Sequence, residues 1–150
     1  MYIYPIKSLG GISVATSLLE NKGLQYDRRW MLIDQNGIFI SQRKHFNLSL
    51  LEVSLAGNYL VVKHKTNASL KISFNTEEHT DALIRVSIWD DTASAYEVSP
   101  EVSAWFSDFM QMKVRLVKMP AEEKRLVDTK YAGNNEIVCC GFVSIFQKCP

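Results

Sequence analysis

Short apolar segments with a period of two, cut by turn residues, dominate this chain. Leu70, Ile72 and Phe74 alternate with Lys71 and Ser73, and Ile84, Val86 and Ile88 alternate with Arg85 and Ser87. Successive side chains of a strand point to opposite faces, so each such run offers one face to a core and one to water. Short strands at this spacing predict a mainly β (α+β) fold, an antiparallel β-barrel or sandwich.

Further strands fit the same plan. Tyr2, Tyr4 and Ile6 start one, and Pro5 marks it as an edge or an ending, because proline has no N–H to give. Gly10-Gly11 turns into a run from Ile12 to Thr16, and Gly23 ends the piece around Leu18 to Lys22. Trp30 to Ile33 is a compact apolar run, followed by Asp34-Gln35-Asn36-Gly37 and a return through Ile38 to Ile40, the pattern of a hairpin. Leu50 to Leu55 leads through Ala56-Gly57-Asn58 into Tyr59 to His64, and Asp90-Asp91 turns into Ala95 to Val98.

One helix is predicted near 99–111. Ser99 is a good N-cap, Pro100 suits the first helical position, and Glu101 suits the positive helix end. Val102, Trp105, Phe106, Phe109 and Met110 form a single apolar stripe, with Trp105 and Phe106 expected to anchor the helix on the barrel. Val114 to Met119 reads as a strand stopped by Pro120.

Composition narrows the function. Seventeen basic and sixteen acidic residues among 150 leave a net charge of +1, no field to draw the chain to nucleic acid or an anionic membrane. No apolar run approaches the roughly 20 residues that span a bilayer, and the start MYIYPIKSLGG lacks the layout of a secretory signal. Cys139, Cys140 and Cys149 are odd in number and contain no Cys-x-x-Cys pair, so neither a disulfide framework nor a thiolate zinc site is expected. The expected compartment is cytoplasmic.

Few residues suggest chemistry. His45, His64 and His79 stand apart and read as surface residues, Asp90-Asp91 reads as a turn, and no Gly-x-Ser-x-Gly elbow exists. No catalytic residue and no metal ligand is nominated. Lys7 and Ser8 precede Gly10-Gly11, the parts of a phosphate cradle or, on spacing alone, of a plain β-turn with an exposed lysine. In Asp27-Arg28-Arg29-Trp30, strand alternation sends the two arginines to opposite sides. One arginine then serves an anion pocket with its planar fork, or Asp27 simply holds a surface ion pair. Ser41-Gln42-Arg43-Lys44 reads as a solvated loop, with Gln42 or Arg43 as a lesser choice for lining the same pocket.

Taken in order, YPIKSLGGISV, GLQYDRRWMLID and NGIFISQR resemble the N-terminal β-barrel domain of MOSC proteins, named for the C-terminal domain of molybdenum cofactor sulfurase. VSAWFSDFM, VRLVKMP and RLVDTKYA continue the likeness to about residue 138. The resemblance extends to YcbX-like proteins and the mitochondrial amidoxime-reducing component. It implies a barrel packed on a MOSC domain with the molybdenum cofactor (molybdopterin) between them. It also implies reduction of N-hydroxylated compounds, with electrons from a redox partner protein. By the family motif, Lys7, Ser8 and Arg28 are the cofactor-binding residues.

That likeness divides the chain into a barrel domain at 1–120 and, at 121–150, an incomplete start of a MOSC domain or an out-of-frame tail. The metal-ligating cysteine of the family falls beyond residue 150, and VCCGFVSIFQKCP departs from the family's continuation. The chain alone is therefore expected to be inactive, a fragment holding no cofactor tightly. Pyridoxal phosphate has no support, since no lysine is singled out as a Schiff-base former. The alternative expectation is a stand-alone barrel that binds a small anionic ligand or a protein. Single-strand nucleic acid binding by Arg and Trp is a third reading, disfavoured by the near-neutral charge.

Overall fold

The computed structural model describes residues 1–20, 22–66, 68–74 and 82–121. Strands β1 (Tyr2–Ile3) and β2 (Ile12–Ser13) pair as a short ribbon, as do β3 (Leu19–Glu20) and β4 (Gly23–Leu24). Strand β5 is Trp30–Asp34. After a 3-10 turn at Phe46–Leu50 come β6 (Glu52–Ala56), β7 (Tyr59–Lys63) and β8 (Leu70–Ser73), an antiparallel meander. Then follow β9 (Leu83–Ile88), β10 (Asp91–Glu97), helix α1 (Pro100–Met110) and β11 (Val114–Lys118). The principal sheet has the order β5-β11-β10-β9, antiparallel throughout.

The apolar run at β5 has a simple cause. Trp30 and Leu32 enter one buried cluster, with Leu60, Val62, Ile72 and Phe106, while Met31 and Ile33 enter another, with Val86, Ile88 and Ala95. A strand buried on both faces needs apolar residues at every position. Strand β11 repeats this, with Leu116 on the first side and Val117 on the second.

The expected hairpin forms only in part. Asp34 Oδ1 accepts from the amides of Asn36 and Ile38, and Gly37 takes the left-handed conformation at φ 79°. Residues 38–40 do not extend into a full strand. Phe39 instead makes a single antiparallel bridge to Ile33 of β5, and Ile38 makes a single parallel bridge to Ser87 of β9. This segment therefore touches both edges of the principal sheet. What is shown is a mainly β fold with one helix, in which the described strands divide into separate sheets.

Helix α1 matches its predicted span. Ser99 Oγ accepts from the Val102 amide at 3.2 Å, and Gln111 ends the helix in the left-handed region. Two serines stitch it to the sheet: Ser103 Oγ donates to Glu97 at 2.6 Å, and Ser107 Oγ accepts from the Val114 amide at 3.0 Å. Phe106 is fully buried, as expected of an anchor. Trp105 is only half-buried, because its indole N–H reaches outward to the Ala68 carbonyl at 3.0 Å. The cysteines and almost all of 121–150 lie outside the described residues.

Candidate functional site

Lys7, Ser8 and Arg28 lie on two backbone segments that run side by side. The Arg28 amide donates to the Tyr4 carbonyl at 2.8 Å, the Trp30 amide to the Pro5 carbonyl at 3.1 Å, and the Lys7 amide to the Trp30 carbonyl at 2.9 Å. The pairing is parallel at Ile6 and Trp30. Arg28 therefore lies beside Tyr4 at the start of the paired stretch, and Lys7 and Ser8 follow at its other end, past Ile6 and Trp30.

Each segment is shaped by a tight turn. Leu9 N–H donates to the Ile6 carbonyl at 3.1 Å, and Ser8 has φ 69°, so Lys7 and Ser8 are the central pair of a type II β-turn. Asp27 N–H donates to the Leu24 carbonyl at 3.0 Å, with Tyr26 at φ 64° in the same turn position, and Arg28 follows at φ 50°. Glycine normally fills such positions. A side chain held there costs on the order of 1–3 kcal/mol and is found most often at functional sites.

Local contacts fix the side chains. Asp27 is buried and does two things: its Oδ1 accepts from the Tyr4 amide at 2.7 Å, and its Oδ2 accepts from Arg28 Nη1. The Arg28 guanidinium also lies 5.0 Å from the centre of the Tyr4 ring. That single bond to Asp27 leaves the Nε and Nη2 side of the fork for a ligand. The side chain keeps 24% of its surface exposed.

Arg29 behaves differently. It is buried, pairs with Glu20 at 3.0 Å and donates to the Lys22 carbonyl at 3.2 Å, tying β3 to the start of β5. Both arginines hold a carboxylate, so the ion pair expected of Asp27 forms, buried and not on the surface, and simple alternation does not separate the two arginines. Strand β5 begins only at Trp30, and Arg28 leaves the extended region altogether. The Lys7 side chain is buried, against the expectation of an exposed lysine in a plain turn, and its ammonium sits 4.8 Å from the centre of the Phe39 ring.

The basic stretch after Ile40 divides as well. Arg43 and Lys44 are exposed and Gln42 is half-buried, but Ser41 is 4% exposed and its Oγ has no hydrogen-bond partner among the described residues. His64 Nδ1 lies 2.9 Å from Thr66 Oγ1 and its ring meets Phe109 edge-on, and no group of acidic, His or Cys side chains among the described residues has the makings of a metal site. Sequence reasoning did not find the positioning role of Asp27 through Tyr4, nor the buried hydroxyl of Ser41. The signal for the first was an acid directly before Arg-Arg.

The profile described as the MOSC N-terminal beta barrel domain matches residues 1–113, well over half of the chain. The chain belongs to the MOSC N-terminal beta barrel domain family. Molybdenum cofactor sulfurase of Danio rerio is 30% identical over 144 residues, covering 93% of this chain and 17% of that protein. The Homo sapiens protein of the same name is 27% identical over 133 residues, covering 87% and 15%. This MOSC N-terminal domain thus spans about a sixth of the length of the curated relatives it matches. Its fold is also similar to the solution structure of a protein from a Bordetella bronchiseptica gene locus, with TM-score 0.54 and 19% identity, covering 72% of this chain and 91% of that one.

Proposed function

We propose that this domain holds the anionic end of the molybdenum cofactor, with Lys7, Ser8 and Arg28 as its ligands. The observation that supports the reading is the backbone pairing of residues 4–7 with 28–30, which puts the family's three positions on adjoining segments, with Ser8 and Arg28 both in the left-handed region. An ammonium, a hydroxyl and a guanidinium fork are the donor chemistry that a phosphate needs, and each charge-assisted contact contributes roughly 1.5–3 kcal/mol. Asp27 orients the fork; it does not cancel it, because it occupies one corner only.

The reading has wider parts. Closure into one barrel runs through residues 38–40, supported by their bridges to β5 and β9. A MOSC domain covers the site and a redox partner delivers electrons. The molybdenum centre, when bound, supplies the two-electron chemistry. Reduction of N-hydroxylated compounds is the finer assignment. The two relatives described carry the sulfurase name, and holding the cofactor serves either activity.

The test is a titration with inorganic phosphate and with a pterin phosphate at several salt concentrations. Binding weakens with salt, because the partly exposed charge of Arg28 is screened. Arg28→Ala weakens it more than Lys7→Arg, since only the first removes a charge and its fork. Equal affinity in wild type and Arg28→Ala overturns the reading.

A further inference from the structure

Two chain segments approach each other head-on along one edge of β5. Residues 4–7 run parallel to β5 and leave it after the Lys7 amide has bonded the Trp30 carbonyl. Residues 38–40 run antiparallel and leave it after the Ile40 amide has bonded the Leu32 carbonyl at 2.9 Å. These two carbonyls are two residues apart on one strand, about 7 Å at the usual rise. The Lys7-Ser8 turn and Ser41 therefore depart from the sheet at the same place.

Ser41 is at odds with its surroundings. It lies next to Ile40, which packs with Ile6, Leu9, Trp30 and Leu48, and it is as buried as they are. Its hydroxyl has no partner among the described residues. An unpartnered buried hydroxyl is destabilising, and alanine would avoid that cost. The Trp30 indole N–H is also unpartnered, but its ring is enclosed by Tyr26 and Phe74 and its bulk explains its presence. Bulk does not explain a serine.

We propose that Ser41 is a fourth ligand of the anion site, its hydroxyl donating to the same phosphate-like group as Lys7 and Ser8. The inference rests on the reading above and adds a residue from a separate part of the chain. Both groups lie beneath the surface, so the ligand enters as the flexible stem of Lys7 swings off Phe39. The bound oxygen then satisfies the hydroxyl that the protein alone leaves unpaired.

The test compares Ser41→Ala, Ser41→Thr and Arg28→Ala with the wild type, reading affinity for inorganic phosphate and thermal midpoint on each. Ser41→Ala is expected to lose affinity on the order of tenfold, while its midpoint stays or rises. Ser41→Thr keeps the hydroxyl and is expected to retain more affinity than Ser41→Ala. If Arg28→Ala weakens binding and Ser41→Ala does not, the fourth ligand is overturned while the anion site stands. If the wild type binds no phosphate, both fall. A lower midpoint for Ser41→Ala with unchanged affinity assigns Ser41 to structure alone and overturns the proposal.

Discussion

The Arg28 amide donates to the Tyr4 carbonyl, and the Arg28 guanidinium lies over the Tyr4 ring. One residue thus holds Arg28 by backbone and by side chain. Asp27 completes the clamp by accepting from both the Tyr4 amide and the Arg28 guanidinium. The clamp makes Asp27→Asn informative. The amide keeps an acceptor for Tyr4 but loses the charge that orients the fork, so phosphate affinity rises if Asp27 mainly neutralises Arg28 and falls if it mainly positions it. The positioning role argued above predicts a fall, measured by calorimetric titration.

Ser8 occupies a glycine-like turn position. Ser8→Gly is expected to leave thermal stability unchanged or raise it by about 0.5–1 kcal/mol, while phosphate binding weakens. Ser8→Val, branched at Cβ, is expected to destabilise by about 1–3 kcal/mol. Denaturant midpoints of the two variants check this, and equal midpoints would contradict the assigned strain.

Gly37 sits where residues 38–40 bridge the two edges of the principal sheet. A Cβ there would stand 2.8 Å from the Arg85 carbonyl oxygen, which is backbone and has little room to yield, and φ is 79°. Gly37→Ala is therefore expected to cost at least about 1–3 kcal/mol. Gly57, also left-handed but with open space around it, provides the control. Chemical denaturation of both alanine variants decides whether the close approach is real.

Phe106 and Trp105 separate the buried anchor from its neighbour. Phe106→Ala is expected to cost about 3–5 kcal/mol, the range for emptying a buried aromatic site. Trp105→Ala should cost less, because the ring is only half-buried and meets Phe106 edge-on at 5.1 Å. An equal or larger loss at Trp105 would show that the indole bond to Ala68 carries more than its exposure implies.

Lys118 gives a pH signature. Burial pushes its ammonium below the usual 10.5, although it donates to the Phe74 carbonyl at 3.1 Å and lies 5.3 Å from the centre of the Trp30 ring. Between the lowered value and 10.5 the unfolded chain binds more protons, so this group's contribution to stability grows as pH rises and is lost as pH falls. The stability difference between wild type and Lys118→Met is expected to move in favour of wild type with rising pH in that window. A flat or falling difference contradicts it.

Much of this was legible in the sequence because local chemistry and tertiary context agree. The Ser99-Pro100-Glu101 start fixes its helix through a side-chain cap, and period-two runs such as Ile84 to Ile88 became strands. The part that was not legible depends on distant partners. Alternation failed at Arg28 because a turn starting at Leu24 displaces it from the strand, and no pattern within four residues reports that. Residues 38–40 have the composition of a strand but are shared between two edges. Ser41 looked like the start of a polar loop, and only the packing of Ile40 shows that it is buried.

The most direct test of the account follows backbone amide resonances of the isotope-labelled chain during titration with inorganic phosphate. The account predicts saturable shifts at Lys7, Ser8, Arg28 and Ser41, weakened by salt and lost in Arg28→Ala. Shifts confined to other basic residues such as Arg43 and Lys44, with these four unmoved, would contradict it.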